Sequence, residues 1–171
     1  MSAHSFISYY VEHVDILMIT LINIGGFIMI DKNMFEKAIR ASNAYSAKTC
    51  DRIMNFGGMN TVLKKLDGDE IIHNVAFVMY DCDESAVVSL FMSNDLAVVT
   101  NRRILIFQSR LLGTLVKEIP LKSIESISYN SGSTNALRVN VNIIGKNYSW
   151  LVLGTDEEKR NTKSVYDKLL A

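Results

Sequence analysis

The chain has 171 residues, 49% of them hydrophobic and 21% charged, and its 18 basic residues balance 18 acidic ones. This length allows one domain with a proper core, or one small domain with an appendage. Because the formal net charge is zero, no overall field attracts nucleic acid or an anionic membrane. Cys50 and Cys82 lack metal-ligand spacing and would give an extracellular protein little support, so we predict a cytoplasmic location.

An uncharged apolar run occupies residues 16–30 near the N-terminus. It is shorter than the roughly 20 residues that cross a bilayer as a helix. No Lys or Arg precedes it, whereas a secretory signal peptide has a basic leading region. Three interpretations stay open, namely a membrane-associating segment over residues 14–30, a buried helix or strand, and sequence that is not part of the natural protein.

The third interpretation concerns where translation starts. The codons of Gly25-Gly26 can contain a bacterial ribosome-binding site at a suitable distance before Met29. On this hypothesis translation of the native protein starts at Met29, and residues 1–28 are read from upstream DNA. Most of the apolar leader, residues 1–30, would then be absent from the native protein. The glycine pair suits a turn equally well, so the sequence leaves both alternatives standing.

A helical pattern follows over residues 33–56, where apolar residues recur at three- and four-residue steps. Asn33 is the predicted N-cap, and Gly57-Gly58 ends the helix. Asn60 is predicted to cap a second, short helix over residues 62–66. These helices form a predicted appendage over residues 31–66 that packs on the following domain or on a second copy of itself.

After Asp69 the hydrophobic period changes to two, which is typical of half-buried strands. Thr155 and Glu158 are spaced as a capping box and predict a helix from about Asp156 that closes over the sheet. The fold is therefore a small sandwich or partly open barrel with a C-terminal helix, over residues 67–171. The predicted extended segments are residues 70–80, 86–92, 96–99, 104–107, 115–119, 124–129, 137–143 and 148–152.

The segment 95–107 has the pattern of a tight antiparallel hairpin around which these strands are arranged. Thr100 and Asn101 suit the turn, since their short polar side chains bond back to the backbone. Arg102 and Arg103 start the return strand and point to opposite faces. One interpretation is structural, with an arginine bound to backbone carbonyls or to a carboxylate such as Asp95. The alternative is an anion site for a phosphate or a partner's carboxylate.

The order of these motifs resembles that of bacterial pleckstrin-homology-like domains, in particular the YokE-like group. The hairpin core Val-Thr-Asn-x-Arg is also similar to that of GRAM domains. The resemblance covers about residues 63–171. It implies a mainly β fold, a seven-stranded antiparallel barrel of two near-orthogonal sheets capped by the last helix, with no catalytic machinery and no cofactor. The matching residues are Gly68-Asp69-Glu70, 97–107, Leu111-Leu112-Gly113, Glu118-Ile119-Pro120-Leu121 and 124–128.

The sequence speaks against phosphoinositide binding, the property that the resemblance first suggests. Lipid-binding members use basic residues around the loop that joins the first two strands, whereas this chain has the acidic stretch Asp81-Cys82-Asp83-Glu84 there. That stretch also lacks the ligand number and spacing of a calcium loop, so we predict no metal site. Arg102, Arg103 and Arg110 are the basic cluster near the barrel and the candidates for contact with a ligand or partner.

Enzymatic and nucleic-acid functions find little support in the sequence. It contains no P-loop, nucleophile elbow, zinc-helix motif or dinucleotide fingerprint. His73 lies in a predicted strand, where a structural role is expected. Tyr148 and Trp150 alternate with polar neighbours, as a core face requires, rather than forming a base-stacking platform.

We therefore predict a non-enzymatic interaction module that binds a protein partner or its own copies. The partner would add a strand or helix to an exposed sheet edge or groove. The alternative is a membrane-associated module, anchored by residues 14–30 or touching anionic lipid through Arg102 and Arg103.

Overall fold

The computed structural model describes residues 30–41, 45–80, 95–110, 112–131 and 137–169. Within these ranges three helices precede a run of seven strands, and one helix follows it. The helices are α1 Lys32–Ala41, α2 Ala47–Met54, α3 Met59–Lys65 and α4 Asp156–Leu169. The strands are β1 Ile72–Tyr80, β2 Asp95–Thr100, β3 Arg103–Arg110, β4 Gly113–Pro120, β5 Ile124–Ser131, β6 Leu137–Ile143 and β7 Lys146–Val152, with a turn of 3₁₀ helix, Leu121–Ser123, between β4 and β5.

The strands form one sheet in the order β4-β3-β2-β1-β7-β6-β5, and every neighbouring pair is antiparallel. In the described part of the chain, β4 pairs with β3 alone and β5 with β6 alone, so the sheet is open between them. The predicted seven-stranded antiparallel fold, with its hairpin and its flanking helices, is confirmed. The additional extended segment predicted over residues 86–92 lies outside the described residues.

Strands β1, β2 and β3 are buried on both faces. One face forms an inner core with β6, β7 and α4, and it includes Val78, Val99, Ile106 and Trp150. The opposite face forms an outer core with α1, α2 and α3. Successive side chains of a strand point to opposite faces, so neighbours along β2 enter different cores. The outer core joins Phe35, Ile39, Ile53 and Val62 from the helices to Val75, Phe77, Leu96, Val98, Leu105 and Phe107 from the strands.

The helical segment is divided more often than its periodicity predicts. The prediction of one helix over residues 33–56 is wrong, because α1 ends at Ala41 and α2 begins at Ala47. Ser46 caps α2, and its Oγ accepts a hydrogen bond from the Thr49 backbone N–H at 3.2 Å. Serine is among the preferred N-cap residues, so the start of α2 has an identifiable local cause.

Two predicted caps also differ from the structure. Asp31, not Asn33, accepts the backbone N–H of Met34, at 2.8 Å from its Oδ1. The third helix begins at Met59 with Gly58 as its N-cap, whereas we predicted Asn60. In both places the cap is the residue directly before the helix. It is not the first asparagine inside the helical sequence pattern, which we predicted.

Helix α4 begins as its capping box predicts. The Thr155 N–H donates to Glu158 Oε2 at 2.9 Å, and the Glu158 N–H donates to Thr155 Oγ1 at 3.3 Å. Further along the helix, the buried ring of Tyr166 lies 6.2 Å from that of Trp150, measured between centroids. The helix therefore closes the inner core with its single aromatic side chain.

None of the helices within the described ranges is long and apolar enough to cross a membrane. The segment 14–30, for which a membrane association is one of the open predictions, is described at Ile30 alone, and that residue is buried in the outer core.

Candidate functional site

The turn between β2 and β3 is tied to the chain that enters β1. Thr100 Oγ1 accepts the backbone N–H groups of Arg102 at 3.2 Å and Arg103 at 3.1 Å, and it donates to Glu70 Oε1 at 2.9 Å. Asn101 makes a two-point contact with Ile71: its Oδ1 accepts the Ile71 N–H, and its own N–H donates to the Ile71 carbonyl, both at 3.0 Å. The two turn residues therefore fix the hairpin against a segment 30 residues earlier.

Arg103 and Glu70 form a buried, two-point ion pair at this turn. Arg103 Nε lies 2.8 Å from Glu70 Oε1, and Nη2 lies 2.8 Å from Oε2. The Glu70 side chain is fully buried, and that of Arg103 is 15% exposed. Three further acceptors complete the guanidinium's surroundings: Glu118 Oε1 at 2.8 Å, the Lys65 carbonyl at 3.0 Å and Asp67 Oδ2 at 3.1 Å. The bond to Glu70 is the main reason that the pKa of Arg103 is raised.

Asp95 is not the carboxylate that holds the hairpin arginine, and the partner suggested from the sequence is wrong. Asp95 begins β2, five residues before the turn, which is about 17 Å along a strand. It pairs with Arg110 at the other end of β3, with 3.0 Å between Arg110 Nη1 and Asp95 Oδ1. Burial raises the pKa of Asp95, while the nearby Arg110 acts in the opposite direction.

The three arginines predicted as one basic cluster do not lie together, because Arg110 is far from Arg102 and Arg103. Arg103 and Arg110 stand at opposite ends of the eight-residue strand β3, about 24 Å apart along the chain. Arg102 lies next to Arg103, is 49% exposed, and pairs with Asp69. Each of the three guanidinium groups thus has a carboxylate partner within the protein.

The ion pair at the turn predicts an acid-sensitive contribution to stability. Burial alone would raise the pKa of Glu70, but hydrogen bonds from Arg103, the Asp67 N–H and Thr100 outweigh it and hold the pKa below its ordinary value of 4.5. Because the folded pKa is the lower one, ionised Glu70 stabilises the fold fully above the unfolded pKa, and this stabilisation is lost as the pH falls through the folded pKa.

We therefore expect the free energy of unfolding to fall more steeply below about pH 4.5 in the native sequence than in Glu70→Gln. Asp95, whose pKa is raised, contributes with the opposite sign, but it is present in both proteins and cancels from the comparison. Urea unfolding at a series of pH values measures the two slopes. Equal pH dependence in the two proteins would contradict the conclusion that ionised Glu70 stabilises the fold.

Other residues singled out from the sequence lie in structural positions. His73 is half-buried in β1, where burial lowers its pKa. Cys50 is buried in α2, and burial raises the pKa of its thiol. Trp150 belongs to the inner core, as predicted. No group of three or more possible metal ligands occurs among the described residues, and the acidic stretch 81–84 is outside them.

The two open edges of the sheet differ in their protection against pairing. Strand β4 carries Lys117, Glu118 and Pro120, which are residue types that discourage the addition of another strand. Strand β5 has one charge, at Glu125, and its exposed residues Ser126, Ser128 and Asn130 are neutral. Among the described residues no strand pairs with this edge, so its outward backbone groups can accept a strand with little side-chain obstruction.

A groove of about 350 Å³ runs between β5 and α4. Tyr129 OH donates to Asp167 Oδ1 at 2.8 Å and joins the strand to the helix. Burial, with this bond, raises the pKa of Tyr129. The Lys163 ammonium lies 5.2 Å from the ring centroid of Tyr129. The groove has apolar walls and an acidic rim, formed by Ile124, Ile127, Tyr129 and Tyr166 and by Glu125 and Asp167.

Sequence reasoning did not find this groove. Tyr129 and Asp167 are 38 residues apart, and no spacing rule relates a strand residue to a helix residue at that distance. The available signal in the sequence was weak: strand β5 has one charged residue, whereas β4 has two charged residues and a proline.

A seven-stranded antiparallel sheet with a C-terminal helix across one core is the PH-like architecture. The family model described as "Bacterial PH domain" matches residues 66–157, more than half of the chain, and the protein belongs to that family. Comparison with curated proteins found no match. Helices α1, α2 and α3 precede the matched region.

Solved structures of similar fold include the pleckstrin homology domain from Shewanella amazonensis SB2B, at 18% identity and a TM-score of 0.42, over 68% of this chain and 100% of that one. The hSac2 domain from human phosphoinositide phosphatase Sac2 matches at 15% identity and a TM-score of 0.44, over 73% of this chain and 81% of that one.

The DH/PH domains of p115-RhoGEF (R399E mutant) match at 11% identity and a TM-score of 0.46, over 81% of this chain and 45% of that one. The chain spans less than half the length of the DH/PH structures that it matches. At these identities the likeness concerns the fold alone.

Proposed function

We propose that the protein is a non-enzymatic interaction module that binds an extended segment of a protein partner along the free edge of β5. Membership of a family whose fold commonly mediates interactions supports this function. The observation that carries the proposal is the combination of an open, weakly protected strand with a groove beside it.

The geometry is suited to strand addition. A partner segment paired with β5 gains main-chain hydrogen bonds, and its side chains alternate between the groove and solvent. The apolar walls at Ile127 and Tyr129 can accept an aliphatic or aromatic side chain. The carboxylates of Glu125 and Asp167 favour a basic residue next to it, although Asp167 is partly neutralised by Lys163, 3.7 Å away.

The hairpin residues have a different role in this proposal. Thr100, Asn101 and Asp95 hold the hairpin, and Arg103 and Arg110 act as structural cations rather than ligand contacts. The supporting observation is that the protein's own acceptors bind both guanidinium groups, on several sides at Arg103 and at Nη1 in Arg110. Arg102, which is about half exposed, is the member of the three that a partner could reach.

The experiment uses peptides selected from a displayed random library against the full chain. We expect Ser128→Lys, which places a charge on the β5 edge, to weaken binding of a selected peptide at least about tenfold, because like charges and an obstructed edge both oppose pairing. Leu115→Lys is the matched control on the β4 edge, where the leucine is 59% exposed. Fluorescence polarisation measures both affinities.

Size-exclusion chromatography with light scattering identifies the occupant. A dimer that Ser128→Lys dissociates would mean that a second copy fills the edge, which is the self-association form of the same function. A monomer that selects no peptide contradicts the proposal, and so does a peptide whose affinity changes with Leu115→Lys but not with Ser128→Lys.

A further inference from the structure

A second groove lies on the far side of the sheet, between α2 and the end of β3. Its volume is about 470 Å³, and it is open to solvent. Lys48 and Arg52 stand four residues apart on α2, so their side chains lie on the same face of the helix. Asn55, at the end of that helix, and Ser109 of β3 line the groove with them.

The guanidinium of Arg52 is held in place without a carboxylate. Its central carbon lies 4.8 Å from the ring centroid of Phe77, a buried residue that also lines the groove. Stacking on a ring occupies the face of the guanidinium and leaves the N–H groups around its edge available. Within the described ranges Arg52 has no ion pair, and neither does Lys48.

The acid between these two cations is already engaged. Asp51 Oδ1 lies 2.6 Å from Arg40 Nη2, and Arg40 also binds Glu36. The single positive charge of Arg40 is therefore shared between Glu36 and Asp51, so Asp51 keeps part of its negative charge, which the two positive charges of Lys48 and Arg52 exceed. The groove combines the two cations with neutral donors at Asn55 and Ser109, and Asp51 also lines it.

We propose that this groove binds the phosphate monoester group of a ligand. Such a group carries a charge of about −1.5 to −2 at neutral pH and three acceptor oxygens, which matches two cations with neutral donors better than a single carboxylate does. The edge of the stacked guanidinium can bind two of the oxygens at once, and the ammonium acts as a point charge.

The site is independent of the β5 edge and goes beyond the interaction proposed there. Lys48, Arg52 and Asn55 precede residues 66–157, the region that the family model matches. The helical segment supplies the charges and the sheet supplies Phe77 and Ser109, so the groove belongs to this chain's combination of helices and sheet.

Nuclear magnetic resonance titration of the full chain with glycerol 3-phosphate tests the proposal. We expect chemical-shift changes at residues 48, 52, 55 and 109 that saturate, and an affinity at least about tenfold weaker in Arg52→Gln, because a charge-assisted pair of hydrogen bonds is lost. Arg52→Lys keeps the charge but not the planar fork and should weaken binding by less than Arg52→Gln. Arg160→Gln, an exposed arginine of α4, is the matched control.

A second arm separates soluble ligands from lipid headgroups. Phosphatidylcholine vesicles with phosphatidic acid present the same chemical group, and sedimentation measures binding to them. If glycerol 3-phosphate binds in an Arg52-dependent way and the vesicles do not, the site is supported and its ligand is a soluble molecule. If the vesicles also bind in an Arg52-dependent way, the site is supported and its ligand is a lipid headgroup. Absence of saturable shifts at the groove overturns the proposal, as does equal weakening by Arg52→Gln and Arg160→Gln.

Discussion

Glu70→Gln should lower the free energy of unfolding by about 3 kcal/mol, the lower end of the cost of breaking a buried ion pair. The change leaves Arg103, 15% exposed, without its two-point partner. Asp67 and Glu118 continue to bind the guanidinium, which is why we expect the lower end of the range. Urea unfolding at neutral pH with linear extrapolation measures the difference.

Glu118→Gln is the matched control, since it removes a carboxylate from the same arginine at a site that is 44% exposed. An exposed pair contributes below about 1 kcal/mol, so this variant should unfold close to the native sequence. If both variants lower the free energy of unfolding by the same amount, the buried pair with Glu70 is not the main restraint on the hairpin.

Phe35→Ala should cost about 3–5 kcal/mol, because it leaves a cavity where a large side chain is fully buried in the outer core. Lys37→Ala on the same helix is exposed and should change the stability by less than about 0.5 kcal/mol. Thermal and urea unfolding followed by circular dichroism, together with the fluorescence of the single tryptophan, compare the variants.

This comparison also tests the division into domains. The helices share one hydrophobic cluster with β1, β2 and β3, and we propose that they unfold with the sheet in one cooperative transition. In Phe35→Ala both probes should then shift to the same lower midpoint. Two separate transitions, with Trp150 unaffected by the change in α1, would mean that residues 31–66 are an independent appendage.

Local signals in the sequence predicted much of the fold. The alternation in β6 and the capping box of Thr155 and Glu158 depend on neighbours a few residues away, and both are found as predicted. The start of α2 had such a signal in Ser46, which the continuous periodicity of the segment obscured. Strand β2 is apolar at successive positions because both of its faces are covered. Burial on both faces is indicated by an unbroken run of apolar residues, whereas alternation of apolar and polar residues indicates a strand with one exposed face.

Local sequence signals did not predict the contacts between segments that are distant in the chain. Glu70 and Arg103 are 33 residues apart, and several carboxylates were possible partners for the arginine. The choice depends on the register of β1 with β2, which places Ile72 opposite Thr100 and so brings Glu70 to the turn. The two grooves likewise join a helix to a strand across the fold, and neither periodicity nor spacing reports such a pairing.

The position of β1 in the sheet has a consequence for biosynthesis. One neighbour of β1 is β2, which follows soon in the chain. Its other neighbour is β7, whose Val152 pairs with Val78 and which is synthesised much later. On the ribosome the outer core can therefore assemble from the helices, β1, β2 and β3 while the inner face of those strands still lacks β6, β7 and α4. Since distant pairings form slowly, we expect an interval in which one apolar surface of the nascent chain is covered and the other awaits β6, β7 and α4, residues 137–169.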